Sequence, residues 1–178
     1  ICEFGAYSRG EIKELTQMIP PQYAILTAIG TQHLERFKSL KNTTLAKFEL
    51  IDSVKPENCL VNLDNKLIQK HLNQNQYKKV KTYSTKNPKA DFFVSKYTLA
   101  NQGTDFTLSH NHQSHHFHSS LFGTSNLENL AAAISMSIML GINPTLIKKS
   151  VAQINPSPHR LELKKINQAT LIDNSYSS

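Results

Sequence analysis

The order of apolar and polar residues predicts an α/β region in the first half of the chain. An unbroken apolar run at Tyr23–Ile29 is typical of a strand buried on both faces, and shorter strands are predicted at "CLVNL" and "KVKTYS". Helices are predicted after a capping box at Ser8, over Thr43–Val54, and from Asp64 with that residue as its cap. Strands that alternate with helices in this order predict parallel βαβ units.

A different pattern covers residues 89–122. Its alternation, with turn signals at 101–103 and 111–113, predicts an antiparallel meander inserted into the α/β domain. The next segment, "TSNLENLAAAISMSIMLG", has the apolar face of a helix that ends with Gly141 at C′. Asn143-Pro144 predicts the start of a further helix, with proline in its first position.

Two prolines in "NPSPHR", residues 155–160, predict an interdomain linker. The segments "LELKKI" and "TLIDNS" then predict a hairpin that turns at Asn167–Gln168. We therefore expect a central domain over residues 1–156, and a linker with the first hairpin of a C-terminal domain over 157–178. The predicted fold class is α/β, a mostly parallel sheet with flanking helices plus an antiparallel β insertion.

Composition narrows the class of protein. The chain has 178 residues, of which 39% are hydrophobic and 19% charged, as in globular proteins. Its longest apolar-rich run, residues 130–142, is too short to cross a bilayer, and no signal-peptide pattern is present. Two cysteines do not make a disulfide framework, so we expect a cytoplasmic protein without a membrane partner. Because the chain opens at "ICEFG" without a start methionine, we also expect a piece of a longer protein.

The net charge of +7 suits either nucleic-acid phosphates or small anionic substrates such as nucleotides. The lysines are scattered among Asn and Gln, with their densest run at Lys78–Lys81, and no basic stripe carries interleaved aromatic residues. We interpret the charge as a solvated, lysine-rich surface and expect no nucleic-acid partner.

One lysine stands out from this surface pattern. Winding the predicted helix at about 100° per residue puts Lys47 between Leu50 and Ile51, in the apolar arc. Such an amine either extends its charged end past its neighbours to water, or it loses its proton in a desolvated site. A neutral amine can react with carbon dioxide to give a carbamate, whose two oxygens suit Mg²⁺. Both interpretations remain open on helical geometry alone.

Three further features bear on metal binding. His33 follows the strand predicted at Tyr23–Ile29, and Glu3 follows the short apolar start "IC". Ligands gather at the carboxyl ends of parallel strands, so an imidazole and a carboxylate there could hold a divalent cation. Five of the eight histidines lie within residues 110–118, either as a transition-metal site or as solvent-facing positions of the meander. We interpret them as solvent-facing.

Four blocks of sequence, taken together and in order, resemble the Mur ligase family: "EFGAYSRGEI", "TAIGTQHLERFKSLKNTTLAKFELI", "FGTSNLENLAAAISMSIMLGI" and "HRLELKK…TLIDNSYSS". They are most similar to the members that add D-alanyl-D-alanine. The resemblance implies part of a P-loop NTPase-like central domain. It implies an ATP-dependent ligase of peptidoglycan precursor synthesis that joins D-Ala-D-Ala to a UDP-muramoyl tripeptide. ATP and Mg²⁺ as cofactors, small-molecule substrates and a monomeric full-length protein are implied with it.

The same resemblance implies metal-binding roles for three residues. Glu3 resembles a Mg²⁺ ligand near the nucleotide phosphates, and His33 resembles a ligand of a second Mg²⁺. Lys47 resembles the lysine that is carbamylated in this family and supports that second metal. The resemblance therefore favours carbamylation over a solvated ammonium.

Contacts with the nucleotide are implied for five more residues. Asn126 and Asn129, three apart on one helix face, resemble residues that hydrogen-bond the adenine. Arg160 resembles an arginine that reaches the γ-phosphate once the last domain closes. Asp173 and Asn174 lie where the family contacts the ribose.

The implied chemistry explains these residue types. A carboxylate that attacks ATP brings two anions together, and Mg²⁺ and Arg160 offset the charge in the transition state. The product is an acyl phosphate, which the incoming amine attacks through a tetrahedral intermediate. Because Arg160 follows the predicted linker, we expect the site to assemble only on domain closure, which excludes water from the acyl phosphate.

The chain also departs from the family pattern. The phosphate-binding loop G-x-x-G-K-[ST] is absent and is expected upstream of Ile1, so we expect this fragment to be inactive alone. Ser125 stands where a histidine is common, and Asn174 stands where many relatives have aspartate. The alternatives are another Mur-type ligase, such as a relative of folylpolyglutamate or cyanophycin synthetase, or a non-catalytic, basic, His-rich module that binds nucleotide or metal.

Overall fold

The computed structural model describes residues 1–31, 34–75, 77–100, 103–167 and 169–177, in two units, Ile1–Tyr83 and Ser84–Ser178. The elements of the first unit are α1 (Glu11–Met18), β1 (Ala24–Leu26), α2 (Leu34–Phe37), α3 (Leu40–Asp52), β2 (Cys59–Asn62), α4 (Lys66–Gln74) and β3 (Lys81–Ser84). The elements of the second unit are β4 (Phe92–Ala100), β5 (Gly103–His110), β6 (Gln113–Ser119), α5 (Thr124–Met139), α6 (Pro144–Ala152), β7 (Glu162–Ile166) and β8 (Ala169–Asp173). One-turn 3₁₀ helices cover Pro56–Asn58 and Ser175–Ser177.

The strand pairings confirm the predicted α/β class. In the first unit β1 pairs in parallel with β2, and β2 pairs in parallel with β3. In the second unit β4, β5 and β6 form an antiparallel meander, and β7 pairs with β8 as a separate hairpin. Strand β1 is shorter than the predicted Tyr23–Ile29, and Tyr23 is 40% exposed, so its ring does not share the burial of the strand. The predicted domain boundary at residue 156 stays a prediction.

Two of the hairpin turns follow the sequence signals, and residues 101 and 102 of the turn predicted at 101–103 lie outside the described residues. Asn111 and His112 have φ of 47° and 63° between β5 and β6, as a two-residue type I′ turn requires. Asn167 has φ of 54° between β7 and β8, and its predicted turn partner Gln168 lies outside the described residues. Asparagine tolerates the left-handed region better than most residues, which is why these positions fit the turns.

The predicted helix caps are partly wrong. Helix α1 begins after Gly10, whose φ of 95° is left-handed, while the Ser8 hydroxyl donates to the Glu11 carboxylate at 2.7 Å. Helix α4 is capped by Asn65 rather than Asp64, because Asn65 Oδ1 accepts from the backbone N–H groups of Leu67 and Ile68. A cap depends on which residue leaves helical geometry, and neighbouring cap formers in the sequence do not fix that.

The C-terminal end of α5 agrees with the prediction. Gly141 has φ of 77° and donates to the Ile138 carbonyl, and Ile142 donates to the Ser137 carbonyl at 3.0 Å, which is the Schellman arrangement. Asn143 then caps α6 by accepting from the Thr145 N–H, with Pro144 in the first position. No helix in the described part of the chain combines the length and the apolar character that crossing a membrane needs.

Apolar packing in the first unit fixes the rotation of α3 about its axis. Phe48 and Ile51, 1% and 2% exposed, pack into the core formed with β1 and β2. The Phe48 ring contacts His71 of α4 with centroids 4.0 Å apart, and burial lowers the pKa of His71 below its usual value. Tyr77 donates to the Asp52 carboxylate at 2.8 Å, so a polar contact holds the end of the same helix.

The Glu49 carboxylate, on the side of α3 away from Phe48 and Ile51, binds α1 to this helix. Glu49 Oε1 accepts from the Gly10 N–H at 2.8 Å, and Oε2 accepts from the Lys13 N–H at 3.1 Å. Both donors belong to the first turn of α1, where backbone N–H groups have no partner inside the helix. Glu49 therefore acts as the N-terminal cap of a helix that lies 36 residues or more before it in the chain.

We predict that Glu49→Ala opens the first turn of α1. Loss of a charged acceptor for two backbone donors is worth about 1–2 kcal/mol, so the Gly10 and Lys13 amides should exchange with deuterium roughly 5- to 30-fold faster. Amide exchange measured by NMR on the full-length protein checks this, with Glu57→Ala as an exposed control. Equal protection in the two variants would contradict the capping role.

Candidate functional site

Lys47 lies in the middle of the buried arc of α3. Its neighbours one turn away, Thr43 and Ile51, are each 2% exposed, whereas Lys47 itself is half-buried. Among the described residues, the Lys47 side-chain amine makes no hydrogen bond or ion pair. The helical-wheel prediction of its position is therefore confirmed, and its carbamylation stays a prediction.

The structure gives less information on Glu3 and His33, the other two predicted metal ligands. Glu3 is exposed in the irregular segment formed by residues 1–6, rather than directly at the end of a described strand. His33 lies outside the described residues. By donor chemistry Glu3 suits Mg²⁺ through its carboxylate oxygens, and Lys47 suits it only as a carbamate, because an ammonium group has no lone pair to give.

The two predicted adenine contacts lie at the start of α5. Asn126 is half-buried, and its Nδ2 donates to the Phe122 carbonyl at 2.8 Å. This bond orients the side-chain carbonyl, which accepts no hydrogen bond within the described part of the chain. Asn129 is exposed, one turn further along the same helix.

Arg160 lies in a tightly held turn before β7. The residues on either side of it, His159 and Leu161, have left-handed φ of 62° and 49°. The guanidinium carbon of Arg160 lies 4.0 Å from the centre of the Tyr176 ring, a cation–π distance. Within the residues that the structure describes, Arg160 forms no ion pair.

Asp173, at the end of β8, is the centre of a polar network. Its Oδ2 accepts from His159 Nδ1 at 2.8 Å and from Lys164 Nζ at 2.6 Å, and its Oδ1 accepts from the Ser175 N–H and hydroxyl. The Lys164 ammonium, with the Ser175 hydroxyl and the His159 imidazole, holds the pKa of Asp173 well below its usual range. The hydrogen bonds of the Lys164 ammonium to Asp173 and then to Glu162 raise the pKa of Lys164.

One group in the described part of the chain has the geometry of a three-ligand cation site. Ligand atoms of His159, Glu162 and Asp173 lie within 4.8 Å of one another. The ammonium of Lys164 already lies among them, 2.6 Å from Asp173 Oδ2 and 3.2 Å from Glu162 Oε2. The protein's own cation balances the two carboxylates, so we do not assign a metal here.

Sequence reasoning missed His159, Glu162, Lys164 and Tyr176 as members of this network. The signal was available in part, because a two-residue turn after Ile166 sets Glu162 opposite Asp173 in the hairpin. The stacking of Arg160 on Tyr176 had no comparable signal, since it depends on the left-handed turn at His159.

Comparison with protein families gives an independent line of information. Residues 1–137 match the model of the Mur ligase middle domain. The whole chain aligns at 28% identity with a UDP-N-acetylmuramoyl-tripeptide–D-alanyl-D-alanine ligase of Bacillus subtilis, and it covers 38% of that protein's length.

Solved structures agree on the fold. A MurF crystal structure from Acinetobacter baumannii matches 98% of this chain and 38% of its own, with a TM-score of 0.84 at 23% identity. MurF from Thermotoga maritima in complex with ADP matches 96% of this chain and 39% of its own, with a TM-score of 0.81 at 20% identity. The chain therefore spans about two fifths of these relatives.

We predict that Asp173 stays ionised in acid. Because its folded pKa lies below the ordinary 3.8, its stabilising contacts are complete above that pH and are lost only as the pH falls further. The side-chain ¹³C signal of Asp173 in the full-length protein should not titrate between pH 7 and roughly pH 3. In Lys164→Met the midpoint should move up toward 3.8, and an unchanged midpoint there would contradict the assigned cause.

Proposed function

Because this chain belongs to the Mur ligase family through its middle domain, we propose that it works in an ATP-dependent ligase that joins D-alanyl-D-alanine to a UDP-muramoyl tripeptide, in peptidoglycan precursor synthesis. The observation that carries the proposal is the alignment of the entire chain with a ligase of that name. A cytoplasmic location and small-molecule substrates fit this activity, as does a basic surface that attracts anionic nucleotides.

The proposed metal ligands are Glu3, His33 and the carbamate of Lys47. What supports Lys47 is its place in the buried arc of α3, between Thr43 and Ile51, which are each 2% exposed. A carbamate on Lys47 would replace its positive charge by a negative one that suits Mg²⁺. Mg²⁺ held there would offset the negative charge of the phosphates.

The proposed nucleotide contacts are Asn126 and Asn129 with the adenine and Arg160 with the γ-phosphate. The Asn126 carbonyl oxygen is oriented by its own amide's bond to Phe122, and a fixed acceptor suits the exocyclic amino group of adenine. Arg160 has no carboxylate partner among the described residues, so its charge is available for phosphate. The ribose contact expected of Asp173 and Asn174 stays a prediction.

Activity of the full-length protein tests the proposal. ADP release should require both a UDP-muramoyl tripeptide and D-Ala-D-Ala, because the acyl phosphate forms on one and is consumed by the other. Release that needs a different acid and amine would instead support another Mur-type ligase, and nucleotide or metal binding without turnover would support a non-catalytic module.

We expect Lys47→Ala to lower the rate of ADP release by about 100-fold or more, because it removes a group that supports charge on the phosphates. Lys41→Ala is the matched control, since Lys41 lies on the same helix and is exposed. Full activity in Lys47→Ala would show that a carbamate on Lys47 is not part of the catalytic site.

The carbamate itself has a direct readout. Protein equilibrated with ¹³C-bicarbonate should show one additional carbamate carbon signal, from carbon dioxide bound covalently to the Lys47 amine. The signal should be absent in Lys47→Ala and present in Lys41→Ala. A signal that survives in Lys47→Ala would assign the modification to another lysine.

A further inference from the structure

The turn that carries Arg160 is held from both sides by the hairpin that follows it. On one side, the His159 N–H donates to Glu162 Oε2 at 3.0 Å, and the His159 carbonyl accepts from the Tyr176 N–H at 3.1 Å. On the other side, the Leu161 N–H donates to Asn174 Oδ1 at 3.3 Å. These bonds offset the strain of two left-handed residues in a row of three.

The acceptor capacity of Asp173 is full. A carboxylate offers about four lone-pair sites, and Asp173 receives four hydrogen bonds, from His159, from Lys164 and twice from Ser175. Its side chain is 13% exposed. A ribose hydroxyl could bond this carboxylate only by displacing one of these donors.

Charge balance keeps Arg160 out of the network. Two carboxylates, Glu162 and Asp173, lie beside the turn and would attract a guanidinium. Lys164 bridges both of them, so their negative charge is already compensated. Arg160 is left on the face of the Tyr176 ring, a weaker contact that a phosphate can replace.

We propose that Asp173 is a positioning residue for Arg160 and not a ligand of the ribose. Together with Lys164 it holds the turn at His159 in place and leaves the guanidinium free to move to a phosphate. Asn174 has the same role through Leu161. The inference rests on the proposed function only in naming the phosphate that Arg160 meets.

Nucleotide analogues separate the two roles of Asp173. In the full-length ligase, Asp173→Asn should lower kcat by about 10- to 100-fold, while KM for ATP changes less than about 3-fold, because a displaced arginine acts on the reacting phosphate. Replacing ATP by 2′-deoxy-ATP or 3′-deoxy-ATP should cost the same factor in the variant as in the wild type. If the cost of removing either hydroxyl disappears in Asp173→Asn, the carboxylate binds the ribose and the proposal is wrong.

Lys164 gives a second test, because no nucleotide role is assigned to it. Lys164→Met leaves the two carboxylates without their cation, so they should bind Arg160 instead and lower kcat. Lys164→Arg, which keeps the positive charge, should restore most of the rate. Asp105→Asn, which alters a histidine-bonded aspartate on the separate meander, is the control and should leave kcat unchanged. Wild-type kcat in Lys164→Met would overturn the charge-balance part of the proposal.

A measurement without turnover keeps the inference separate from the proposed activity. The guanidinium of Arg160 lies over the Tyr176 ring, so the NMR signals of the protons at this end of its side chain should be shifted upfield in the full-length protein. The upfield shift should be lost in Asp173→Asn and retained in Asp105→Asn. A shift retained in Asp173→Asn would show that Asp173 does not position the turn, whether or not the protein proves to be a ligase.

Discussion

Burial of one face of α3 is the constraint on which the first unit depends. Phe48 and Ile51 fill the space beside β1 and β2, and they cannot leave it without opening a cavity in the core. Glu49 can then reach the first turn of α1 only from the opposite side of the helix. With both sides fixed, the direction in which the Lys47 side chain leaves the helix is a consequence of the packing.

In the second unit, hydrogen bonds and ion pairs between charged side chains are the main constraint. There the carboxylates of Glu162 and Asp173 are matched by Lys164 and by hydrogen bonds, so the hairpin carries its own counter-ion. The arginine next to these two carboxylates is held in place by the backbone geometry of its turn rather than by attraction between charges. The same kind of residue, a cation in a polar setting, is therefore paired with carboxylates at Lys164 and stacked on an aromatic ring at Arg160.

The sequence predicted the features that many residues specify together. Parallel pairing of β1, β2 and β3 follows from strands that alternate with helices along the sequence, and the end of α5 follows from a glycine that can adopt left-handed geometry. The wrong caps at α1 and α4 depended on single residues with equally suitable neighbours. The cap supplied by Glu49 and the network at Asp173 join residues that meet only after folding, so no local pattern could predict their partners in full.

This difference explains why a family match determines the fold more firmly than the site. A core tolerates many substitutions that preserve volume and polarity, so a fold can persist at the 28% identity of this relative. The turn at Arg160 tolerates far less substitution, because it needs several features at once. These are two left-handed residues, the Asp173 carboxylate as acceptor of four hydrogen bonds, and a cation at Lys164. We expect a substitution at any one of these to change where the guanidinium lies while the strands around it stay intact. Residue roles at such a turn must therefore be derived from its own hydrogen bonds.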